Sequence, residues 1–261
     1  MFRSLHIAAT GMSAQETHLD AISNNIANAS TTGYKKQRVD FQDLLYQTVR
    51  AAGTQTSATA LSPTGLQIGS GTRVVGTSRS FSQGSTVITK NPLDLAIEGN
   101  GFFVVQQADG TPAYTRAGNF QTNAQGQIVT PEGLPLEPAV TIPPDATSVT
   151  IGADGTVSAT LAGQTQASQV GQITLASFVN PAGLSAVGHN LFTQTAASGE
   201  AQIGVAGTES RGSLLQGSLE NANVDVVEEM IGLIGAQRAY EINSKVITAA
   251  DDMLRAATQL R

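Results

Sequence analysis

The three histidines of this sequence are the side chains best suited to bind a metal or transfer a proton, and their spacing favours neither role. His6 and His18 both lie in one predicted helix, but without the HxxxH spacing that places two zinc ligands on one helix face. His189 stands in Gly-His-Asn, a predicted turn, with no second ligand nearby in the sequence. The chain contains no cysteine, which excludes thiolate ligands and thiol nucleophiles. We therefore predict no metal site.

Other catalytic patterns are equally weak. The neighbouring carboxylates Glu228 and Glu229, and Asp251 and Asp252, occupy adjacent helix positions and therefore point apart. The glycine-rich residues 65–71 lack the lysine and the preceding strand of a phosphate-binding loop, and no GxSxG nucleophile motif is present. We predict no catalytic residue and no cofactor, and hence a protein that is not an enzyme.

The composition limits the kinds of partner that the protein is expected to bind. Charged residues make up 13% of the 261 residues, about half the usual share of roughly 25%. The net charge of −6 argues against nucleic-acid binding, which requires a basic face. No apolar run is long enough to span a bilayer, so no membrane insertion is predicted. His6, Ser13 and Glu16 interrupt any apolar run in the N-terminal segment, so this segment lacks the pattern of a cleaved secretory signal.

The residues at the two chain ends have helical periodicity. In residues 3–29, small or apolar side chains recur at alternating steps of three and four, the pattern of a helix packed along a partner helix. Residues 225–260 carry two apolar stripes, which predicts a helix with two sides to bury. The residues predicted to pack in the helical core or in assembly contacts are Leu5, Met12, Leu19, Ile22, Ile26, Met230, Leu233, Tyr240, Val246, Ile247, Met253 and Leu254. Of these, we expect Met230, Leu233, Tyr240 and Leu254 to be buried.

Two asparagine-rich segments flank the inner ends of these helices. The first helix is expected to stop near Asn28, after which Gly33 supplies a free φ angle. The second is expected to start near Asn223 to Asp225, with Asp225 as its N-cap. If the helices are antiparallel, the two segments meet and form a neck between the helices and the middle of the chain.

The middle of the chain predicts β structure. Short alternating runs at 149–151 and 157–161 flank the turn signal 153–155, and further turn signals lie at 100–101 and 107–110. Residues 51–72 have almost no charge and little periodicity, which is typical of a flexible loop or of a segment ordered by a partner.

These patterns together predict an α+β fold with a discontinuous, coiled-coil-like helical domain from both chain ends, an extended arm and a central all-β domain. The expected boundaries are residues 1–32 for the N-terminal helix, 33–75 for the arm, 76–221 for the outer β domain and 222–261 for the C-terminal helix. The arm residues expected to contact other subunits are Pro63, Gly65, Leu66 and Ile68.

Three motifs resemble those of the bacterial flagellar rod and hook axial proteins. They are residues 25–35 (NIANASTTGYK), residues 92–103 (PLDLAIEGNGFF), and residues 219–225 (LENANVD) with 229–241 (EMIGLIGAQRAYE). They follow the family order over the whole chain, although Ala222 stands where the family often has serine. Residues 61–69 are similar to a stretch that distal rod members carry and many hook members lack. The neck and family-motif residues are Asn25, Asn28, Gly33, Tyr34, Asn223 and Asp225.

The resemblance implies a structural subunit of the distal rod, which polymerises with itself into a rigid helical tube that transmits torque and contains the export channel. It implies contacts with the proximal rod proteins, the hook protein, the surrounding P and L rings and the flagellar export apparatus. The expected location is the basal-body rod, from periplasm to outer membrane, reached by type III export without a cleaved signal.

Other functions remain open at this point. A hook or proximal rod protein of the same family is one alternative. A secreted β-rich adhesin or carbohydrate-binding module is another, although it would predict an aromatic platform, and aromatic residues are only 5% with no tryptophan. A secreted enzyme would need a carboxylate pair assembled only in three dimensions.

Overall fold

Contacts along the chain divide the protein into two units, each built from separate stretches of sequence. The computed structural model describes residues 2–54, 63–163, 166–209 and 211–259. The first unit, called the helical unit here, comprises residues 1–26, 37–78 and 225–261. The second, the β unit, comprises residues 27–36 and 79–224.

Two long helices lie at the two ends of the described chain. Helix α1 spans Phe2–Ala27 and helix α2 spans Val226–Gln259, close to the predicted 3–29 and 225–260. The predicted α+β class, with a helix at each chain end and a strand-rich middle, is therefore confirmed. No helix in the described part of the chain has the length and apolar character needed to cross a membrane.

The described residues of the helical unit also include four strands, which form two ribbons. Strand β1 (Gln37–Asp43) and strand β2 (Gln47–Arg50) are followed by strand β3 (Leu66–Ile68) and strand β4 (Thr72–Arg79). Strand β1 pairs with β4, and β2 pairs antiparallel with β3.

The β1–β4 pair lies along α1 of the same chain. The amide of Gln37 donates to Asn25 near the end of α1, and the ring of Phe41 meets His18 edge-on with centroids 5.7 Å apart. The amide of Thr72 is 3.5 Å from the Thr10 hydroxyl, nearer the start of α1. The chain therefore runs back along α1 after leaving it.

Part of residues 51–72, interpreted from the sequence as a flexible loop or a segment ordered by a partner, is ordered within the single chain. Pro63 and Gly65 are exposed in a turn before β3, whereas Leu66 and Ile68 form β3 rather than a flexible loop. The hydrogen bonds of the β2–β3 pair supply the order that the sequence of residues 51–72 does not indicate by itself. The stretch 55–62 of the predicted arm lies outside the described residues.

The β unit contains fifteen strands within its described residues. They are β5 (Thr86–Ile88), β6 (Leu95–Glu98), β7 (Phe102–Gln106), β8 (Pro112–Thr115), β9 (Gln121–Thr122), β10 (Ile128–Val129), β11 (Ala146–Ile151), β12 (Thr156–Leu161), β13 (Ser168–Gln172), β14 (Thr174–Ser177), β15 (Ser185–Gly188), β16 (Leu191–Thr193), β17 (Gln202–Val205), β18 (Ser213–Gln216) and β19 (Ser218–Glu220). A short 3₁₀ helix, Pro181–Gly183, precedes β15.

The largest sheet has six antiparallel strands in the order β15-β16-β8-β7-β14-β17. A three-stranded sheet has the order β11-β12-β13, and two-stranded pairs are β18-β6, β19-β5 and β10-β9. Because both edges of the six-stranded sheet, β15 and β17, are short, little unpaired backbone is left along them.

Both faces of the inner strands of the six-stranded sheet are buried. Successive side chains on a strand point to opposite faces, so Phe103 and Val105 of β7 belong to one apolar cluster. Phe102 and Val104 belong to a second cluster, with Tyr114 and several phenylalanine rings in edge-on contact. The continuous apolar run at 102–105 is therefore a strand buried on two sides.

The predicted turns connect strands as expected. Residues 153–155 join β11 to β12, with Val149 opposite Ala159 and Ile151 opposite Val157. The predicted turn at 107–110 joins β7 to β8. His189 and Asn190 form the two-residue turn between β15 and β16, with positive φ angles of 55° and 58°.

Candidate functional site

Helices α1 and α2 pack side by side and antiparallel within the helical unit. A Cβ atom on Gly11 would lie 3.0 Å from the Asn243 amide nitrogen, and one on Gly232 would lie 3.5 Å from Ile22 Cδ1. The Asn25 amide donates to Glu229 Oε2 at 3.0 Å. As the position on α1 rises from 11 to 25, its partner on α2 falls from 243 to 229, residue for residue. The end of α1 therefore lies beside the start of α2.

Small side chains form the contact between α1 and α2. Ala236 and Ala250 of α2 are almost fully buried, as are Ala8 and Ala14 of α1. Side chains of this size let two helix backbones approach closely, because nothing longer separates them. Ile22 is the one large residue of the predicted packing set that is buried. Seven further members of that set are half-buried: Leu5, Met12, Leu19, Ile26, Leu233, Ile247 and Leu254.

The remaining four predicted packing residues are exposed in the single chain. The exposed fractions of Met230, Tyr240, Val246 and Met253 are 54%, 42%, 41% and 54%. Met230 and Tyr240 are therefore exposed in the isolated subunit, and Leu233 and Leu254 are half-buried there, so the expected burial of these four residues stays a prediction for the assembled protein. The physical reason is that α1 covers one side of α2, and the alanine stripe occupies that side. A role of the exposed four in assembly stays a prediction.

An apolar patch covers the first three turns of α2 on the side away from α1. It consists of five exposed residues, Val226, Val227, Met230, Ile231 and Ile234. At about 100° per residue, these positions point opposite to the stripe of Glu229, Gly232 and Ala236. Exposed clusters of large apolar side chains are typical of protein–protein contacts. We call these five residues the α2 patch, and it is the candidate assembly surface of the helical unit.

Asp225 caps α2 as predicted. Its Oδ1 accepts hydrogen bonds from the amides of Val227 at 2.9 Å and Glu228 at 3.3 Å, which satisfies two of the free N–H groups of the first turn. Glu229 follows in the same turn, where the positive end of the helix dipole favours a carboxylate.

Replacing Asp225 by alanine is expected to lower the free energy of unfolding by about 1 kcal/mol, because both capped amides lose their acceptor. Asp225→Ser keeps a side-chain oxygen that can cap the helix, so the free energy of unfolding should fall by only roughly a few tenths of a kcal/mol. Thermal unfolding of the two variants, followed by far-ultraviolet circular dichroism, measures the difference. Equal stabilities for the two variants would contradict the capping role.

The predicted neck asparagines hold the backbone of neighbouring segments in both units. In the helical unit, Asn25 accepts from the Gln37 amide and donates to the Gln37 carbonyl, both at 2.9 Å. In the β unit, Asn223 accepts from the Lys36 amide at 2.6 Å and donates to the Ser80 and Ser82 carbonyls. The backbone carbonyl of Asn28 accepts from the Thr31 amide in the turn after α1.

Gly33 has the positive φ angle that the sequence predicts, 69°. Its amide donates to the Glu220 carbonyl at 2.8 Å, and a Cβ atom there would lie 2.6 Å from the backbone nitrogen of Ala117. Both the backbone angle and the space therefore require glycine.

Gly33→Ala is expected to lower the stability of the β unit by at least about 1–3 kcal/mol, because a strained backbone and a clash with a neighbouring backbone act together. Gly207→Ala is the matched control, since Gly207 has a φ of 76° but no atom within 4 Å of the position that an added Cβ would take. Urea unfolding should show the larger loss for Gly33→Ala. A loss no larger than that of the control would mean that the contact with Ala117 is easily relieved.

A buried cluster of three charged side chains lies next to Gly33 in the β unit. Lys35 Nζ donates to Glu220 Oε1 at 2.7 Å and to the Ser82 carbonyl at 2.8 Å. Arg116 Nη1 is 3.7 Å from Glu220 Oε2, and its Nη2 donates to the Gly99 carbonyl at 2.6 Å. All three charged side chains are 2% exposed or less.

Two cations share one carboxylate in this cluster, and burial together with these charges shifts the pKa values of both cations. Burial lowers the pKa of Lys35, the charge of Arg116 lowers it further, and Glu220 opposes both effects. Burial also lowers the pKa of Arg116, again against the attraction of Glu220. Sequence reasoning missed this cluster. The available signal was that Lys35 and Glu220 are charged residues inside two motifs with few other charges.

The histidines occupy ordinary structural positions in the described residues. His18 contacts Phe41, and His189 contacts the carboxylate of Glu132 on the surface. Among the residues that the structure describes, no group of three or more histidine, aspartate or glutamate side chains is placed to hold a metal ion.

Three models of known protein families match the chain, one after another. Residues 5–35 match the flagella basal body rod protein family, and residues 96–159 match the D1 domain of the flagellar hook protein FlgE/F/G family. Residues 215–260 match the C-terminal domain of the flagellar basal body rod FlgEFG proteins. The first and third matches include most of α1 and α2, and the second lies within the β unit.

Similar proteins extend these matches to the whole chain. The flagellar basal-body rod protein FlgG of Caulobacter vibrioides is 52% identical over 99% of both chains. The proteins of the same name from Buchnera aphidicola and Bacillus subtilis are 48% and 42% identical over the full length of both chains. Because identity at this level covers helices, arm and β unit together, the chain belongs to the family of flagellar basal-body rod proteins.

Proposed function

We propose that this structural rod subunit forms the distal part of the rod, where it polymerises with itself into a rigid helical tube. The tube transmits torque from the motor to the hook and encloses the channel through which flagellar proteins are exported. The subunit acts mechanically and carries out no chemical reaction. The α2 patch is the main observation that supports this proposal. Five large apolar side chains are exposed on one helix face, and such a surface is typical of a contact with another protein helix.

The helices of the helical unit are proposed to form the innermost layer of the tube, in a coiled-coil-like arrangement. One side of α2 is used by α1 of the same chain, so the opposite side is left for another subunit. A contact between two different surfaces, repeated from copy to copy, generates an open helical polymer when its rotation does not close into a ring. Met230 belongs to the α2 patch, and Tyr240, Val246 and Met253 are proposed to extend the contact along α2.

The arm is proposed to contact neighbouring subunits through its exposed apolar residues. Leu45 is 89% exposed, and Tyr46, Val49 and Leu66 are also exposed on the β2–β3 ribbon. These apolar side chains are exposed in the single chain, and such a surface is typical of a contact with another protein, here a second copy. Pro63, Gly65 and Ile68 are proposed to take part in the same contact.

The position in the rod implies the other partners. The tube is proposed to lie in the periplasm and reach the outer membrane, between the proximal rod proteins and the hook protein and inside the P and L rings. The subunit is proposed to reach this place through the flagellar type III export apparatus, without a cleaved signal. The hook and proximal rod alternatives are less well supported, because the relatives that are 52% and 48% identical to this chain are named as FlgG rod proteins.

Deletion of the gene followed by electron microscopy of isolated basal bodies tests the proposal. We expect short rods that lack the distal segment and the hook, and complete rods when the wild-type gene is returned. Complete rods with hooks in the deletion strain would refute the assignment to the distal rod. Rods that are absent altogether would favour a proximal position instead.

A further inference from the structure

The guanidinium of Arg79 lies in a pocket of the β unit that none of the contacts above uses. The pocket has a volume of about 280 Å³, and its wall includes Tyr34, Arg79, His189, Asn190 and Phe192. It opens between the segment that contains Tyr34 and the β15–β16 hairpin.

Two aromatic rings hold the Arg79 guanidinium in place. Its Cζ atom is 6.0 Å from the centre of the Tyr34 ring and 5.7 Å from the centre of the Phe192 ring, both within the range of a cation–π contact. Its Nη1 donates a long hydrogen bond of 3.4 Å to the Lys35 carbonyl. Among the described residues, no carboxylate lies within ion-pair distance of Arg79. Most of the guanidinium donors are therefore available to a ligand.

The charge around the pocket favours an anion. Lys35, Arg79 and Arg116 are three cations near a single buried carboxylate, Glu220. Burial lowers the pKa of Lys35, and the charge of Arg116 lowers it further against the opposing attraction of Glu220. On the rim, the carboxylate of Glu132 contacts His189 and forms no ion pair with Arg79.

We propose that this pocket binds a carboxylate group, and that its occupant in the rod is an aspartate or glutamate side chain of a second copy of the chain. A planar guanidinium held by aromatic faces presents a fork of N–H donors that matches the two oxygens of a carboxylate. The chain has 20 acidic against 14 basic residues, so a second copy supplies the group in excess. Exposed carboxylates outside any ion pair in the described residues include Glu98, Asp145 and Glu200. The identity of the occupant rests on the proposed self-assembly, whereas the carboxylate chemistry of the pocket does not.

Titration of the purified full chain with sodium acetate tests the chemistry. Nuclear magnetic resonance of isotope-labelled tyrosine and phenylalanine, of which the chain has four and eight, reports on the pocket walls. Relative to sodium chloride at the same ionic strength, acetate should shift the Tyr34 and Phe192 ring signals selectively. Arg79→Met should abolish these shifts, and Arg79→Lys should weaken acetate binding by about tenfold or more, because the charge stays but the planar fork is lost.

Arg73→Met is the matched control, since Arg73 is also an arginine of β4 and lies outside the pocket, where it contacts Gln42. It should leave the acetate shifts unchanged. If thermal unfolding shows that Arg79→Met does not fold, Arg79→Lys carries the comparison. Shifts that are absent in the wild type, or equal in the wild type and Arg79→Lys, would overturn the proposal. Inorganic phosphate binding more tightly than acetate would overturn the assignment to a carboxylate.

Basal bodies isolated from cells that carry the same variants test the occupant. Arg79→Met and Arg79→Lys should yield fewer complete rods than Arg73→Met, in the order of their acetate affinities. Complete rods in normal number with Arg79→Met would overturn the second copy as the occupant. Complete rods with hooks in the deletion strain would instead contradict the proposed function, which keeps the two results distinguishable.

Discussion

Replacing Glu220 by glutamine is expected to lower the free energy of unfolding of the β unit by about 3–5 kcal/mol, the range for breaking a buried ion pair. The substitution removes the only carboxylate of the cluster and leaves Lys35 and Arg116 as two buried cations that repel each other. It also weakens the acceptor of the Gly84 amide, which is 2.8 Å from Glu220 Oε1. Urea unfolding monitored by a signal from the β unit provides the measurement.

The cluster predicts an order of effects as well as a size. Lys35→Met should cost less than Glu220→Gln, because Glu220 keeps Arg116 and the Gly84 amide as partners and one of the two mutually repelling cations is gone. Glu200→Gln is the control, since Glu200 is exposed, and it should change the stability by less than about 0.5 kcal/mol. A larger loss for Lys35→Met than for Glu220→Gln would show that the excess positive charge is not the dominant effect.

Replacing Ile231 by glutamate is expected to abolish rod assembly and swimming while leaving the subunit folded. Ile231 is 66% exposed within the α2 patch, so a charged side chain there meets water in the single chain. In the polymer the same carboxylate would be buried in every repeated contact without a partner, which costs several kcal/mol each time. Because the contact recurs between all copies, even a modest loss per contact prevents growth of the tube.

Gln125→Glu is the charge control in the β unit. Gln125 is exposed in the turn between β9 and β10, so the variant adds the same charge outside the helical unit. Swimming on soft agar and electron microscopy of basal bodies should show the loss for Ile231→Glu alone. Circular dichroism of both purified variants should match the wild type. Normal swimming with Ile231→Glu would remove the α2 patch from the assembly contacts.

The two predictions separate folding from assembly. The cluster of Lys35, Arg116 and Glu220 is buried within one unit of one chain, so its loss is measurable in the purified subunit. The α2 patch is exposed in that subunit, so its loss becomes visible only in the polymer. A mutation that reduces motility through instability therefore lowers the unfolding midpoint, whereas one that acts through assembly does not.

The amino-acid sequence by itself determined the local features of this protein. Asn28 and Asp225 mark helix ends because their side chains and backbone satisfy groups only a few residues away. A glycine at position 33 could be predicted because a positive φ angle is a local property of one residue's backbone. The turns at 153–155 and 188–190 follow from the same short-range chemistry, and the family motifs at the two ends identified the axial proteins of the flagellum.

Only the tertiary structure decided which distant residues meet. Both stripes of α2 are apolar in sequence, and the position of α1 selects Ala236 and Ala250 for burial and leaves Met230 and Tyr240 exposed. Lys35 and Glu220 are 185 positions apart, and no periodic pattern links residues at such a separation. Residues 66–68 become a strand only because β2 offers a hydrogen-bonding edge. Short-range preferences are written in each segment, whereas these pairings depend on the register in which separate segments pack.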